Sequence, residues 1–130
     1  MSKVILHIGT HKTATTTVQD MFSANAKLLE THGLIYPRLG SATGHHGLVF
    51  DWGHLPKVYA YPSGSLATLR EIADEYGRTD ATVFLSSEEF SLSYPHAAPD
   101  LTAIRGALSA FDEIEVICVL RPQWQFLQSV

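Results

Sequence analysis

The sequence predicts an α/β fold, three layers deep, with a central parallel sheet enclosed by helices. Three observations carry that expectation. The apolar run Val4-Ile5-Leu6-His7-Ile8 leads into a tight turn and then a helix. Far along the chain, Glu113 to Leu120 alternates and then becomes continuously apolar, as a central strand does. Between them, strand and helix signals follow one another in the order β-α-α-β-α-β-α. Val18, Met21, Phe22, Leu28 and Leu29 fall on one helical stripe that ends before Gly33. Gly33 to Pro37 reads as a short extended piece. Residues 40–64, rich in glycine, histidine and aromatics, lack a period and read as loop and short helix lining a pocket. Ser65 is placed to cap a helix bearing Leu66, Leu69, Ile72, Ala73 and Tyr76. Ala81 to Ser87 is a strand. Pro99 fits the first turn of a helix that turns Leu101, Ile104, Leu108 and Phe111 inward.

At 130 residues, 45% of them apolar, the chain suits one domain over 1–130. Nine basic against thirteen acidic residues leave a net charge of −4, which gives no basic field for nucleic acid or an anionic membrane. No apolar run is as long as a membrane span. The single cysteine, Cys118, lies in an apolar strand and reads as a packed small side chain, and a cytoplasmic setting is the default.

The turn after the first strand carries the chemistry. Thr10-His11-Lys12-Thr13-Ala14-Thr15-Thr16-Thr17 puts a lysine and several hydroxyls at a helix start, where backbone N–H groups and the helix dipole favour an anion. The standard phosphate loop G-x-x-x-x-G-K-[ST] does not fit, because Gly9 precedes Lys12 by three residues. Lys-Thr-small-Thr-Thr after a strand instead resembles the 5′-phosphosulfate loop of sulfotransferases that use 3′-phosphoadenosine 5′-phosphosulfate (PAPS). Many of those have glycine where this chain has Ala14. A second likeness lies at the other anchor. Arg121 closes the late strand and Ser129 follows eight residues on, the spacing with which that family grips the 3′-phosphate. A guanidinium forking onto phosphate and a hydroxyl two turns along a helix are physically suited to it.

The resemblance implies a P-loop-like sheet cut after its third core strand, hence an N-terminal portion of a longer domain with a sheet edge prone to self-association. It implies PAPS as donor and PAP as product. His11, Lys12, Thr13, Ala14, Thr15, Thr16, Arg121 and Ser129 would bind the nucleotide, and Lys12 would meet charge growing on the bridging oxygen. The acceptor is a hydroxyl or amine, with carbohydrate favoured by a glutamate at the end of the strand Ala81 to Ser87, as in carbohydrate sulfotransferases. Glu88 is the preferred base and Glu89 the second choice, since successive strand residues point to opposite sides. His46, beside His45 in a glycine-flanked loop, is the rival base. No cysteine or carboxylate at ligand spacing accompanies these histidines, so no metal is expected. Tyr59, Tyr61, Phe50 and Trp52 either face the acceptor or form a satellite core. His7 reads as a hydrogen-bonded core residue. Two alternatives stand beside turnover: a domain that only holds PAPS or PAP, and a kinase or NTPase with Thr13 and Glu88 on Mg²⁺.

Overall fold

The computed structural model describes residues 1–9, 15–53, 55–91 and 98–119. Its elements are β1 (Lys3–Gly9), α1 (Thr15–Ala24), α2 (Ala26–Thr31), β2 (Leu34–Ile35), α3 (Ser65–Tyr76), β3 (Thr82–Ser86), α4 (Leu101–Ala107) and β4 (Glu113–Val119), with 3-10 turns at His46–Val49, Lys57–Tyr59 and Glu88–Ser91. The four strands form a parallel sheet in the order β2-β3-β1-β4. The α/β expectation therefore holds, and the short extended piece becomes β2.

Side-chain alternation divides the sheet into two faces. Val4 and Leu6 of β1 with Val83 and Leu85 of β3 join Leu69, Ile72 and Ala73 of α3 and Ile104, Ala107 and Leu108 of α4 in the main core. The opposite face carries His7, Phe84 and Ser86. There Phe22 of α1 packs on Phe84 at 4.7 Å between ring centroids, and Tyr36 edges onto Phe22 at 5.7 Å. The chain thus leaves β1 across one face and leaves β3 across the other. Adjacent parallel strands whose connections diverge open a crevice at their C-terminal ends. Register pairs His7 with Ser86 and Gly9 with Val119 at that edge.

Several expectations are corrected. The predicted first helix is two, parted at Asn25, whose side-chain amide (2.8 Å) shares the Met21 carbonyl with its own backbone N–H (3.1 Å). Met21 and Leu28 are consequently exposed rather than inward. Ser65 is the first residue of α3, not its cap: the Asp51 carboxylate accepts from Ser65 N (3.1 Å), while Ser65 Oγ donates to Gly47 O (2.8 Å). An anion from a neighbouring loop therefore meets that helix start. Asp100, not Pro99, begins α4, accepting from Ala103 N at 3.0 Å. Leu101 points outward. The strand at 113–119 is an edge strand among the described residues, not a central one. Val116 is 57% exposed and Cys118 is exposed rather than packed. Beside it an open groove of about 820 Å³ is walled by Ile104, Phe111, Ile114 and Val116. The 40s loop is also less peripheral than its composition suggests. Leu48 and Val49 enter the core, with Trp52 and Tyr61 packed against it. No helix among the described residues is long and apolar enough to cross a membrane.

Ser2 fastens the opposite, N-terminal edge of the sheet. Fully buried, it donates its backbone N–H to Asp112 Oδ2 (2.8 Å) and its hydroxyl to Gly77 O. Its Oγ also accepts from Asp112 N (3.0 Å). One side chain joins the ends of α3, β1 and β4. Ser2→Ala leaves a buried carbonyl and N–H without their partner, so chemical denaturation should show a loss of about 1–3 kcal/mol. An unchanged midpoint would contradict this role.

Candidate functional site

The sequence-predicted anion loop joins the end of β1 to the start of α1. His11, Lys12, Thr13 and Ala14, the side chains of Thr15 and Thr16, and Arg121 and Ser129 lie outside the described residues. The described part of the site is a polar cluster where β1 and β3 end.

Ser86 is its centre. Its backbone is bound on the side away from β1 by the loop rather than by β2. His45 N donates to Ser86 O (2.7 Å), and Ser86 N donates to His45 Nδ1 (3.0 Å), so an imidazole takes the place of a strand carbonyl. Because Nδ1 accepts, Nε2 carries the proton and donates to Pro37 O (2.7 Å). Both ring nitrogens of His45 are committed. Burial pushes its pKa down to about 4, with Pro37 O opposing the shift. His45 is therefore a neutral strut. The Ser86 hydroxyl faces the other way, within 2.8 Å of His7 Nδ1, and accepts from Gln19 Nε2 at 3.0 Å. His7 is buried, as expected for a core histidine, and burial lowers its pKa against an opposing pull from Glu88.

Next in the chain, Ser87 N donates to His7 O (3.1 Å), extending the ladder one residue. Ser87 Oγ lies 2.7 Å from His46 Nδ1 and accepts from Glu89 N at 3.1 Å. Residues 88–91 then coil into a 3-10 turn, tied to β1 because Ser91 Oγ bonds both Gly9 O and Glu88 O. This turn overturns the alternation argument for the two glutamates. Strand geometry would send them to opposite sides. The turn instead brings one ligand atom each from His46, Glu88 and Glu89 within 4.8 Å of one another. All three are half-buried. The two rival bases, Glu88 and His46, thus share one site, and the trio is of the type that could hold a divalent cation. The absence of carboxylate neighbours in the sequence around His46 was no guide, since Glu88 arrives from another strand.

Two features escaped the sequence reading. Gln19, almost fully buried, donates to Glu88 Oε2 at 3.2 Å as well as to Ser86. Its signal was a polar residue on the inward stripe of α1, between Val18 and Phe22. Gly44 is the second. A Cβ there would stand 2.5 Å from Gln19 Oε1 and 2.6 Å from His46 Nε2, so the loop approaches α1 closely only because the residue is glycine. Of the aromatics, Tyr59 meets His46 edge-on at 5.0 Å, whereas Trp52 and Tyr61 serve the core. Compared with known families and with curated proteins, the chain matches no family model and no curated sequence.

The His45 strut has a pH signature. Its folded pKa lies below the ordinary value of 6.5, so the unfolded chain takes up a proton first as pH falls. Stability from His45 is complete above about pH 6.5 and is lost toward about pH 4, with roughly 2 kcal/mol gone between about pH 7 and pH 5. His7 acts in the same direction. Equilibrium unfolding across that interval should be steeper for the wild type than for His45→Gln, by about that amount. Equal slopes would mean that His45 is not held neutral.

Proposed function

We propose that the protein transfers a sulfuryl group from PAPS to a hydroxyl or amine acceptor, at a P-loop-like site on the C-terminal edge of the sheet. One observation carries the reading. β1 and β4 are neighbours, with Gly9 in register with Val119, so the strands that precede Lys12 and Arg121 in the sequence end side by side. Glu88 follows the strand on the other side of β1. A donor bound between the two cationic segments would present its sulfuryl group near the Glu88 and His46 cluster.

In the reaction, the acceptor oxygen or nitrogen attacks sulfur in line as the bond from sulfur to the phosphate oxygen breaks. The electron pair stays on that oxygen of PAP, where Lys12 offsets the charge. The acceptor proton passes to Glu88, with His46 as the other basic group within reach. The half-buried setting of the cluster favours such exchange over a fully solvated one. Tyr59, beside His46, offers an aromatic face to an acceptor, consistent with a sugar. Holding PAPS or PAP without turnover would need the same nucleotide contacts but not the clustered bases.

A second reading has an observation of its own. His46, Glu88 and Glu89 gathered within 4.8 Å would suit a divalent cation, as in a kinase or NTPase that holds Mg²⁺ beside its phosphates. One titration separates the readings. With Arg121 and Ser129 on the 3′-phosphate, PAP should bind more tightly than AMP by about ten- to hundred-fold, or roughly 1.5–3 kcal/mol. That ratio should be the same with Mg²⁺ and with chelator. Equal affinity for PAP and AMP, or nucleotide binding that requires Mg²⁺, contradicts the sulfuryl-transfer assignment.

A further inference from the structure

We infer that Gln19 positions Glu88 for its work on the acceptor, an inference that rests on the sulfuryl-transfer reading. The amide nitrogen of Gln19 has two hydrogens, and both are directed: one to Ser86 Oγ (3.0 Å), the other to Glu88 Oε2 (3.2 Å). Only one orientation of this amide fits. Reversed, its carbonyl oxygen would face a carboxylate oxygen, and the Glu88 contact would turn repulsive. The remaining atom, Oε1, lies against Gly44, at a spot that any Cβ on residue 44 would enter.

The anchored end of this bridge does not move easily. Ser86 is bonded through its backbone to His45 and through its hydroxyl to His7. A chain of hydrogen bonds therefore runs from His7, 3% exposed in the sheet, through Ser86 and Gln19 to the half-buried Glu88. A donor on one carboxylate oxygen fixes the plane of the group and so the direction of the other oxygen. Placing a base to within a fraction of an ångström is what makes proton transfer efficient.

Gln19 sits on the face that packs Phe22, Phe84 and Tyr36 together. An apolar side chain of the same length would fill the space, and its cost would fall on Glu88: Ser86 Oγ keeps His7 as a partner, whereas the half-buried carboxylate loses a donor. A buried amide in an aromatic layer, spent on a candidate base at the crevice, has the marks of a functional group.

The test is a mutant cycle read by hydrolysis of PAPS to PAP and sulfate, water serving as acceptor, with the full-length protein. Gln19→Met should lower kcat about tenfold or more and leave KM for PAPS within about twofold, with the protein still folded. In the Glu88→Gln background the same change should alter kcat by less than about twofold, because the residue it acts through is already disabled. Should Gln19→Met not fold, Gln19→Leu, also uncharged and without a donor, is read in the same cycle with the same expectation. Slowing of both backgrounds alike, or no slowing of either, overturns the role of Gln19 while Lys12→Met still abolishes turnover. Wild-type protein that does not turn over PAPS, or Lys12→Met that matches it, overturns the sulfuryl-transfer reading and this inference together.

Discussion

Ser86 ends β3 with bonds in three directions: backbone to the His45 loop, hydroxyl to α1 through Gln19, and the same hydroxyl to β1 through His7. Remove that junction and the crevice between the two sheet faces has no floor. The constraint is topological before it is chemical. β1 sends the chain across one face and β3 across the other, so a crevice opens at their C-terminal ends. Polar backbone groups left there need partners, and the side chains of His45, Ser87 and Ser91 supply them at short range. The same side chains then hold Glu88 and His46 close together. Fold and site are thus consequences of one strand ending.

Where the sequence was legible, the signal was apolar periodicity acting over a single element. β1, β3 and α3 are visible because their inward residues recur at the strand or helix period, and each packs as its pattern implies. The failures have physical causes that act between elements. An apolar run made β4 look central, yet strand position depends on what lies beside it, which periodicity does not encode. Ser65 looked like a cap because serine caps helices, but Asp51, fourteen residues earlier, reaches that helix start first. The helical stripe parts at Asn25, whose side-chain amide and backbone N–H share the Met21 carbonyl. At the site, the glutamate pair was misread because a 3-10 turn replaced strand geometry at residue 88. Gln19 went unnoticed because its partners are sixty-seven and sixty-nine residues away.

The electrostatics of the cluster divide labour among the histidines. His45 and His7 are kept neutral by burial, which suits struts in a low-dielectric layer. His46, half-buried and oriented by Ser87, stands within reach of Glu88 and Glu89. A reaction that relieves negative charge on a leaving phosphate and takes a proton from an acceptor needs those two tasks kept apart.

The central claim is that Glu88, held at the strand ends, is the base for an acceptor and takes no part in gripping the nucleotide. Turnover and PAP affinity of Glu88→Gln in the full-length protein test it most directly. The account predicts PAP affinity within about twofold of wild type and kcat lower by about 10²–10⁴, the span for a lost general base. Near wild-type turnover in Glu88→Gln, with turnover lost instead in His46→Ala, would contradict it.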